Sequence, residues 1–356
     1  MKPLVSILVP AYNAQEWIAD MLRSAIAQTW EPKEIIIVDD GSTDDTLAVA
    51  RQFESGCVRV VTQENQGGAA ARNTAFSLCR GDYIQWLDAD DLMAPDKIAL
   101  QMEAADRCQN KRMLLSSAFG TFMYRWYRTE FIPTELWHDL SPTDWLLRKM
   151  GENLYMQTGT WLVSRQLTEA AGPWDTRLLS DDDGEYFCRV LLASSGVLFV
   201  PEARVYYRAF RYNSLSYIGR SQVKRDAHWL SMQLHIGYLR SLEDSERVRA
   251  ACVRYLQRSL IYFYPEEAEV VKQVEKLAGE LGGRLKVPYL SWKYSWVRMV
   301  FGWDRAKRIA FSSRKIRWWL EKLSDRMMFL IETRKSAMHS EEMRAEVERS
   351  LTKPLV

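Results

Sequence analysis

The sequence predicts an α/β fold: a mainly parallel central sheet alternating with helices, followed by a helical C-terminal region. Three observations carry this. Short β-branched runs alternate with stretches of helical periodicity through the first half of the chain, the pattern of βαβ units. The runs Leu4 to Pro10 and Glu34 to Val38 are apolar almost without alternation, as strands buried on both faces of a parallel sheet must be. From about Gly219 onward the strand signals stop and apolar residues recur at helical spacing, as in Leu230, Leu234, Tyr238 and Leu242.

Taken in order, Leu4 to Pro10 is the first strand. Asn13 with Glu16 reads as a capping box for a helix carrying Trp17, Ile18, Met21, Leu22, Ala25 and Ile26. Glu34 to Val38 is the second strand, and Ser42 with Asp45 signals the start of a helix running through Ala50. Val58 to Thr62 is the third strand, and Gly67-Gly68 opens the next helix. Tyr83 to Leu87 is the fourth strand, after which Pro95 sits where a first helical turn tolerates proline and starts a helix towards Cys108. Met113 to Ala118 and Gly159 to Ser164 read as further strands, separated by a helix from Ser141 to Met150 with Pro142 at its first position. Val197 to Val200 and Arg204 to Arg208 read as two short closing strands. The expected division is residues 1–218 as the α/β domain and 219–356 as a helical region.

Composition narrows the function classes. The 356 residues carry a net charge of +2, but the first 110 hold 9 basic and 17 acidic residues, whereas Arg284 to Lys335 hold 14 basic and 4 acidic residues with five tryptophans. An acidic front half suits a metal site. The five cysteines form no Cys-x-x-Cys pair and the four histidines have no zinc spacing, so a reducing, cytoplasmic setting is the expectation. No window approaches the roughly 20 apolar residues of a spanning helix, so membrane contact is expected to be peripheral. Neither a dinucleotide fingerprint nor a phosphate-binding P-loop occurs, which argues against a dehydrogenase or a P-loop kinase.

The residues that point to chemistry lie at strand ends. Ile35 to Val38 runs into Asp39-Asp40-Gly41-Ser42, and Tyr83 to Leu87 runs into Asp88-Ala89-Asp90-Asp91. Ligands of open α/β sheets bind outside the carboxyl ends of the strands. Three carboxylates within four residues repel one another unless a cation holds them, and Mg²⁺ or Mn²⁺ bridging a substrate diphosphate is the natural guest. Asn65 to Asn73 supplies a glycine-led helix start with Arg72 in its second turn, suited either to an anionic nucleotide or to a salt bridge with a neighbouring Asp.

These three motifs, in this order, resemble the family 2 glycosyltransferases of GT-A fold, over about residues 4 to 218. Leu4 to Asn13, with Pro10 and Tyr12, is similar to the family's opening strand, Val38 to Ser42 to its nucleotide-base loop, and Asp88 to Asp91 to its Asp-x-Asp motif. The resemblance implies a nucleotide-sugar donor, uridine-linked by default, bound by Pro10, Tyr12, Asp40, Arg72 and Asp88, with Asp40 taking a hydrogen bond from the base. It also implies a divalent metal on Asp90. The run Ser180 to Arg189 resembles the family's base motif, and counting back six from Arg189 gives Asp183 as the group that would deprotonate an acceptor hydroxyl. Asp181 and Asp182 stay open by one position. Trp161 and Trp174 fall in the segment where the acceptor pocket forms, where stacking on a sugar and core packing are equally good accounts of them. In the closing loop Phe210 replaces a histidine that can join the metal-diphosphate site, with Arg211 as the charge substitute. The implied reaction is inverting transfer of one sugar to a saccharide or lipid-linked acceptor in cell-surface polysaccharide or glycolipid synthesis.

Three alternatives are set aside. The absence of a Gln-x-x-Arg-Trp motif argues against processive polymer synthesis. Ala11-Tyr12-Asn13-Ala14 after the first strand argues against a sugar-phosphate nucleotidyltransferase, and the full set of Asp40, Asp88, Asp90 and Asp183 argues against a binding protein or scaffold without turnover. The basic, tryptophan-rich stretch from Tyr289 to Lys335 suits a helix at an anionic membrane surface, on the cytoplasmic face of the plasma membrane, or a helical subdomain packed on the rest of the chain. No nucleic-acid motif accompanies it, and no nucleic-acid partner is expected.

Overall fold

The computed structural model describes residues 2–209, 218 and 221–351, with side chains to residue 333. The helices and strands are β1 (Val5–Ala11), α1 (Ile18–Ile26), β2 (Lys33–Asp39), α2 (Thr46–Arg51), β3 (Val58–Thr62), α3 (Gly68–Leu78), β4 (Tyr83–Trp86), β5 (Leu92–Met93), α4 (Lys97–Cys108) and β6 (Met113–Phe122). They continue with α5 (Pro142–Glu152), β7 (Leu162–Ser164), α6 (Arg165–Ala171), α7 (Asp182–Ala193), β8 (Gly196–Arg208), α8 (Gln222–Leu242), α9 (Glu246–Ser259), α10 (Ala268–Glu280) and α11 (Ser295–Leu351). The strands form one eight-stranded sheet in the order β3-β2-β1-β4-β7-β6-β8-β5.

The sheet has a parallel half and an antiparallel half. β1 pairs parallel with β2 and β4, and β2 with β3, whereas β7 runs antiparallel to β4 and β6, and β5 to β8. The apolar runs of β1 and β2 are buried on both faces, as their composition requires. Register sets up the site. β1 pairs with β2 as far as Ala11–Asp39, but with β4 only as far as Leu8–Trp86. Leu8 O accepts from Leu87 N (3.0 Å) on the β4 side, and Ala11 O accepts from Asp40 N (2.8 Å) on the β2 side. Alternation therefore turns Pro10 towards β4, beyond the point where pairing ends, so its missing N–H costs no ladder bond.

Several local expectations are corrected. Asn13 and Ser42 cap no helix: Asn13 N donates to Ser42 Oγ (3.0 Å) and Thr43 N donates to Asn13 Oδ1 (2.8 Å). The two residues tie the loop after β1 to the loop after β2, and α1 and α2 start with no side-chain cap bond at Trp17 and Asp45. The two short strands expected at 197–200 and 204–208 are the single strand β8, and Gly159 to Thr160 belongs to a 3-10 turn (Thr158–Thr160) before β7. The capping read at Ser141 holds, with Ser141 Oγ accepting from Asp144 N at 3.1 Å and Pro142 in the first turn.

The chain divides into two compact units, Met1–Thr121 with Glu130–Ser291, and Phe122–Thr129 with Trp292–Val356. The division expected near residue 218 falls inside the first unit, because α8 to α10 pack there. Tyr238 of α8 donates to Glu185 Oε1 of α7 (2.6 Å), and Trp229 Nε1 donates to Gln273 of α10 (3.0 Å). In the second unit α11 is interrupted at Gly302, whose φ of 82° is open to glycine at little cost. There Asp325 accepts from Arg125 Nε (2.7 Å) and Tyr124 N (2.9 Å), and Tyr127 OH donates to Glu332 (2.5 Å).

Candidate active site

Asp39 and Asp40 end β2 and Asp88 follows β4, so both acidic loops leave the same edge of the parallel half. Asp40 is buried, and its two oxygens accept from Gln63 Nε2 (2.8 Å), Gln66 N (3.0 Å) and Gly67 N (2.7 Å). It therefore clasps the loop that leads into α3, where Gly67 takes φ of 89°. Asp39 accepts from Thr62 Oγ1 (3.1 Å) and Ser42 N (3.4 Å) through Oδ2, while its Oδ1 is buried without a partner. Of the pair, Asp39 rather than Asp40 keeps the free acceptor. Tyr12 is half exposed on the loop after β1, beside the partly buried Pro10.

Arg72 links the two halves of the site. Its Nη2 donates to Asp88 Oδ1 and its Nη1 to Asp182 Oδ2, both at 2.8 Å, and its guanidinium lies 4.4 Å over the Trp174 ring. The arginine is buried in the second turn of α3, and Asn73 beside it exchanges two hydrogen bonds with the Trp174 backbone (2.9 and 2.8 Å). The salt-bridge reading of Arg72 is thus realised, with a carboxylate from each motif. Burial works against the charge, but Asp182 and Asp88 raise the Arg72 pKa further.

The acidic loop after β4 is short of positive charge. Burial and the neighbouring Asp88 push the Asp90 carboxyl up to about 7, against the pull of Arg208. Burial and Asp90 hold the fully buried Asp91 well above the usual carboxylate range, and Asp91 Oδ2 has no partner. Arg208, at the end of β8, donates from Nε to Asp90 O and from its backbone N to Asp91 Oδ1, both at 2.8 Å, and its guanidinium lies 4.1 Å over Trp17. Sequence reading placed Arg208 in a closing strand without assigning it to this loop. Phe210 and Arg211 lie outside the described residues.

Does this donor set fit a divalent cation? Among the described residues no three His, Cys, Asp or Glu side chains converge as a metal cage. A hard cation held by one or two carboxylates and completed by a diphosphate needs no such cage. A raised, solvent-reachable Asp90 next to Asp88 fits that arrangement.

The candidate base motif opens α7. Asp181 takes a left-handed conformation at the N-cap (φ 60°), and Asp182 and Asp183 fill the first turn. Asp183 accepts from Thr158 Oγ1 at 3.4 Å, and burial together with Asp182 and Asp181 raises its carboxyl to about 7. Asp182 is committed to Arg72. Asp181 is turned to α8, accepting from Ser231 Oγ (2.7 Å) with His235 Nδ1 at 3.8 Å, and a Cβ on residue 184 would collide with the Asp181 carboxylate. Burial opposes its ionisation, yet His235, Lys149 and the Ser231 bond hold the Asp181 carboxyl below its ordinary value. Arg189, the count-back landmark, pairs with Glu185 (2.8 Å), not with Asp183.

The two tryptophans offered for sugar stacking are core residues. Trp161 is buried between Trp145 and Phe187, at ring distances of 5.6 and 5.2 Å. Trp174 is buried too, stacked on Tyr186 at 4.0 Å and 7° beneath the Arg72 contact. Neither ring has a face open to an acceptor. Sequence could not separate the two accounts, because a lone Trp has the same spacing either way.

A mixed sheet with paired carboxylates at its strand ends, an Asp-x-Asp loop and a carboxylate at a helix start defines a nucleotide-sugar transferase architecture of GT-A type. The comparisons agree. Residues 6–159 match the model of the glycosyl transferase family 2, which supports a family 2 glycosyltransferase domain of GT-A fold in that part of the chain. It is 43% identical over 29% of its length to the teichuronic acid biosynthesis glycosyltransferase TuaG of Bacillus subtilis, covering 42% of that protein. It is 46% identical over 28% of its length to the chondroitin synthase of Escherichia coli, covering 15% of it. The chain thus spans less than half the length of these two relatives. The structure of S. aureus TarS residues 1–349 in complex with UDP-GlcNAc superposes with a TM-score of 0.62 at 19% identity, over 79% of this chain and 80% of that one, a likeness of fold.

Proposed function

We propose that the chain transfers a single sugar from a nucleoside-diphosphate donor to an acceptor hydroxyl with inversion at the anomeric carbon. The observation that carries this is Arg72, whose guanidinium holds Asp88 of the Asp-x-Asp loop and Asp182 beside the candidate base in one cluster. The UDP-GlcNAc complex of TarS supports a uridine-linked donor, and the description of TuaG supports a role in cell-surface polysaccharide synthesis.

The geometry supports the following roles. Asp39 Oδ1 is the unsatisfied acceptor for the base edge, and Asp40 acts by fixing the Gln63 to Gly67 loop beside it, with Tyr12 and Pro10 on the flank. Asp88 lies on the ribose side, its orientation set by Arg72. Asp90, with Asp88, would hold Mg²⁺ or Mn²⁺, which when bound offsets the charge developing on the leaving diphosphate. Asp183 takes the proton from the acceptor hydroxyl as that oxygen bonds the anomeric carbon and the bond to the diphosphate breaks. A carboxyl raised to about 7 is well matched to that work near neutrality. The acceptor is a saccharide or a lipid-linked saccharide. The basic C-terminal region would bring the enzyme to an anionic membrane surface, with a cytoplasmic-face location. The test is nucleotide release and thermal shift against a panel of nucleotide sugars with and without Mn²⁺. Metal-dependent stabilisation by one donor, lost in Asp90→Ala and kept in Asp183→Asn, is the expected result; no stabilisation of the wild type by any donor would remove the reading.

A further inference from the structure

After Gly302, α11 carries Ile309, Ile316, Leu320, Leu323, Met327 and Leu330, and from Ile316 onward the spacing alternates between four and three residues. At 3.6 residues per turn these fall on one stripe, with Trp319 and Ile331 on its two borders. In the second unit that stripe faces outward: the six side chains are 42% to 61% exposed. The opposite side of the helix is the one engaged by the unit itself, through Asp325 and Glu332 to Arg125 and through Phe329 to Tyr124.

The margins of the stripe are cationic. Arg308, Lys315 and Arg326 lie along one side and Arg317 along the other, while Glu321, Asp325 and Glu332 sit on the far half of the helix. A second copy of the chain laid on this stripe would meet mainly like charge at its flanks, where the one acidic residue, Asp304, is already paired with Arg308 of its own helix at 2.6 Å, unlike a coiled coil specified by its flanking charges. The six residues occupy two heptad positions, as a coiled-coil seam would, but Trp319 and Ile331 widen the apolar face beyond such a seam on both sides. An apolar face with an exposed tryptophan and a basic rim complements an anionic lipid surface instead.

We infer that Ile309 to Ile331 is an interfacial helix that lies in the plane of an anionic bilayer, its Ile316–Leu320–Leu323–Met327 stripe sunk about 5–10 Å into the headgroup boundary and its Arg/Lys margins at the phosphates. This rests on the membrane-surface part of the proposed function and adds the face that makes the contact. Trp292, Trp296 and Met299, N-terminal to the interruption at Gly302, are exposed as well, and no part in the contact is assigned to them.

The test is flotation of the full chain with phosphatidylcholine vesicles, with and without phosphatidylglycerol. The wild type should float with the anionic vesicles alone. Leu320→Glu with Leu323→Glu should lower the partition at least about tenfold, and Lys315→Gln or Arg317→Gln roughly fivefold each, with unchanged circular dichroism. Leu320→Ser with Met327→Ser repeats the apolar test without added charge. A wild type that never floats removes the membrane reading as a whole. A wild type that floats equally well with either double variant overturns this face only. Equal binding to neutral vesicles overturns the role of the margins, and a dimer in solution that Leu320→Glu dissociates, with no flotation, gives the stripe to a second copy.

Discussion

Arg72 and Asp182, 110 positions apart in sequence, meet at 2.8 Å, and the same guanidinium reaches Asp88 at an equal distance. The pairing joins helices α3 and α7 across the end of the parallel sheet and gives two acidic segments one shared cation. Removing it leaves two mostly buried carboxylates without a counter-charge. Arg72→Ala should therefore cost several kcal/mol of stability, on the order of 3 kcal/mol for a partly screened pair, and abolish turnover. Arg72→Lys should recover part of the stability but not the two-carboxylate bridge. Thermal unfolding and donor turnover of both variants check this; an Arg72→Ala protein as stable and active as the wild type would refute the bridging role.

Asp183 makes a prediction about pH. A base works ionised, and burial with Asp182 and Asp181 has raised this carboxyl to about 7, so turnover should climb as pH rises through 7 and level off above it. Asp183→Asn should lower kcat by about 10²–10⁴ and erase that limb while leaving donor binding in place. An unchanged pH profile in Asp183→Asn would move the base to another carboxylate.

The Asp-x-Asp loop should link stability to metal. Because the folded protein raises the Asp90 carboxyl to about 7, the fold favours its protonated form, and that contribution is complete below the unfolded value near 3.9 and lost as pH rises through about 7. Metal-free protein should lose thermal stability over that window, and Mn²⁺ with a nucleotide diphosphate should restore it at pH 7.5. Asp90→Asn should reduce the pH dependence, leaving the part owed to Asp183 and Asp91, and cancel the rescue, as scanning calorimetry would register.

On the other side of α7, burial depresses His235 to about 4 even though Asp181 faces it. Its neutral form is the folded form, so stability is full above about 6.5 and declines as pH falls towards 4. His235→Gln should remove this part of the acid sensitivity. Melting temperatures between pH 7 and 4.5 that fall equally in both proteins would contradict it.

Trp161 and Trp174 should behave as core residues. Trp161→Ala should destabilise by about 3–5 kcal/mol, with any loss of activity following the loss of folded protein. Trp174→Ala should add to that a loosening of Arg72. If Trp161→Ala melted normally and raised only the KM for acceptor, the ring would be touching sugar after all.

Much of the fold was legible because continuous apolar runs such as Ile35 to Val38 have few structures open to them, and because Gly67 and Pro142 mark their own positions. The acidic loops were legible for the same reason: three carboxylates at a strand end demand an explanation whatever surrounds them. What sequence could not supply was partnership over distance. Asn13 and Ser42 both have the chemistry of caps, yet once β1 and β2 align they bond to each other. Arg208 stands 118 positions from Asp90, and only the closing of the sheet by β8 brings it there. The division of labour between Asp39 and Asp40 depends on which carboxylate the Gln63 amide and the Gln66 and Gly67 backbone N–H groups capture.

Asp181 is gripped by Ser231 and faces His235, both on α8, a helix that begins after the last strand of the sheet. The carboxylates that follow it inherit their orientation from a part of the chain more than 40 residues downstream. Splicing the chain at the sheet's final strand would therefore separate the candidate base from its brace, and a hybrid that keeps this geometry should carry its own α8 to α10 and make its seam after Ser291.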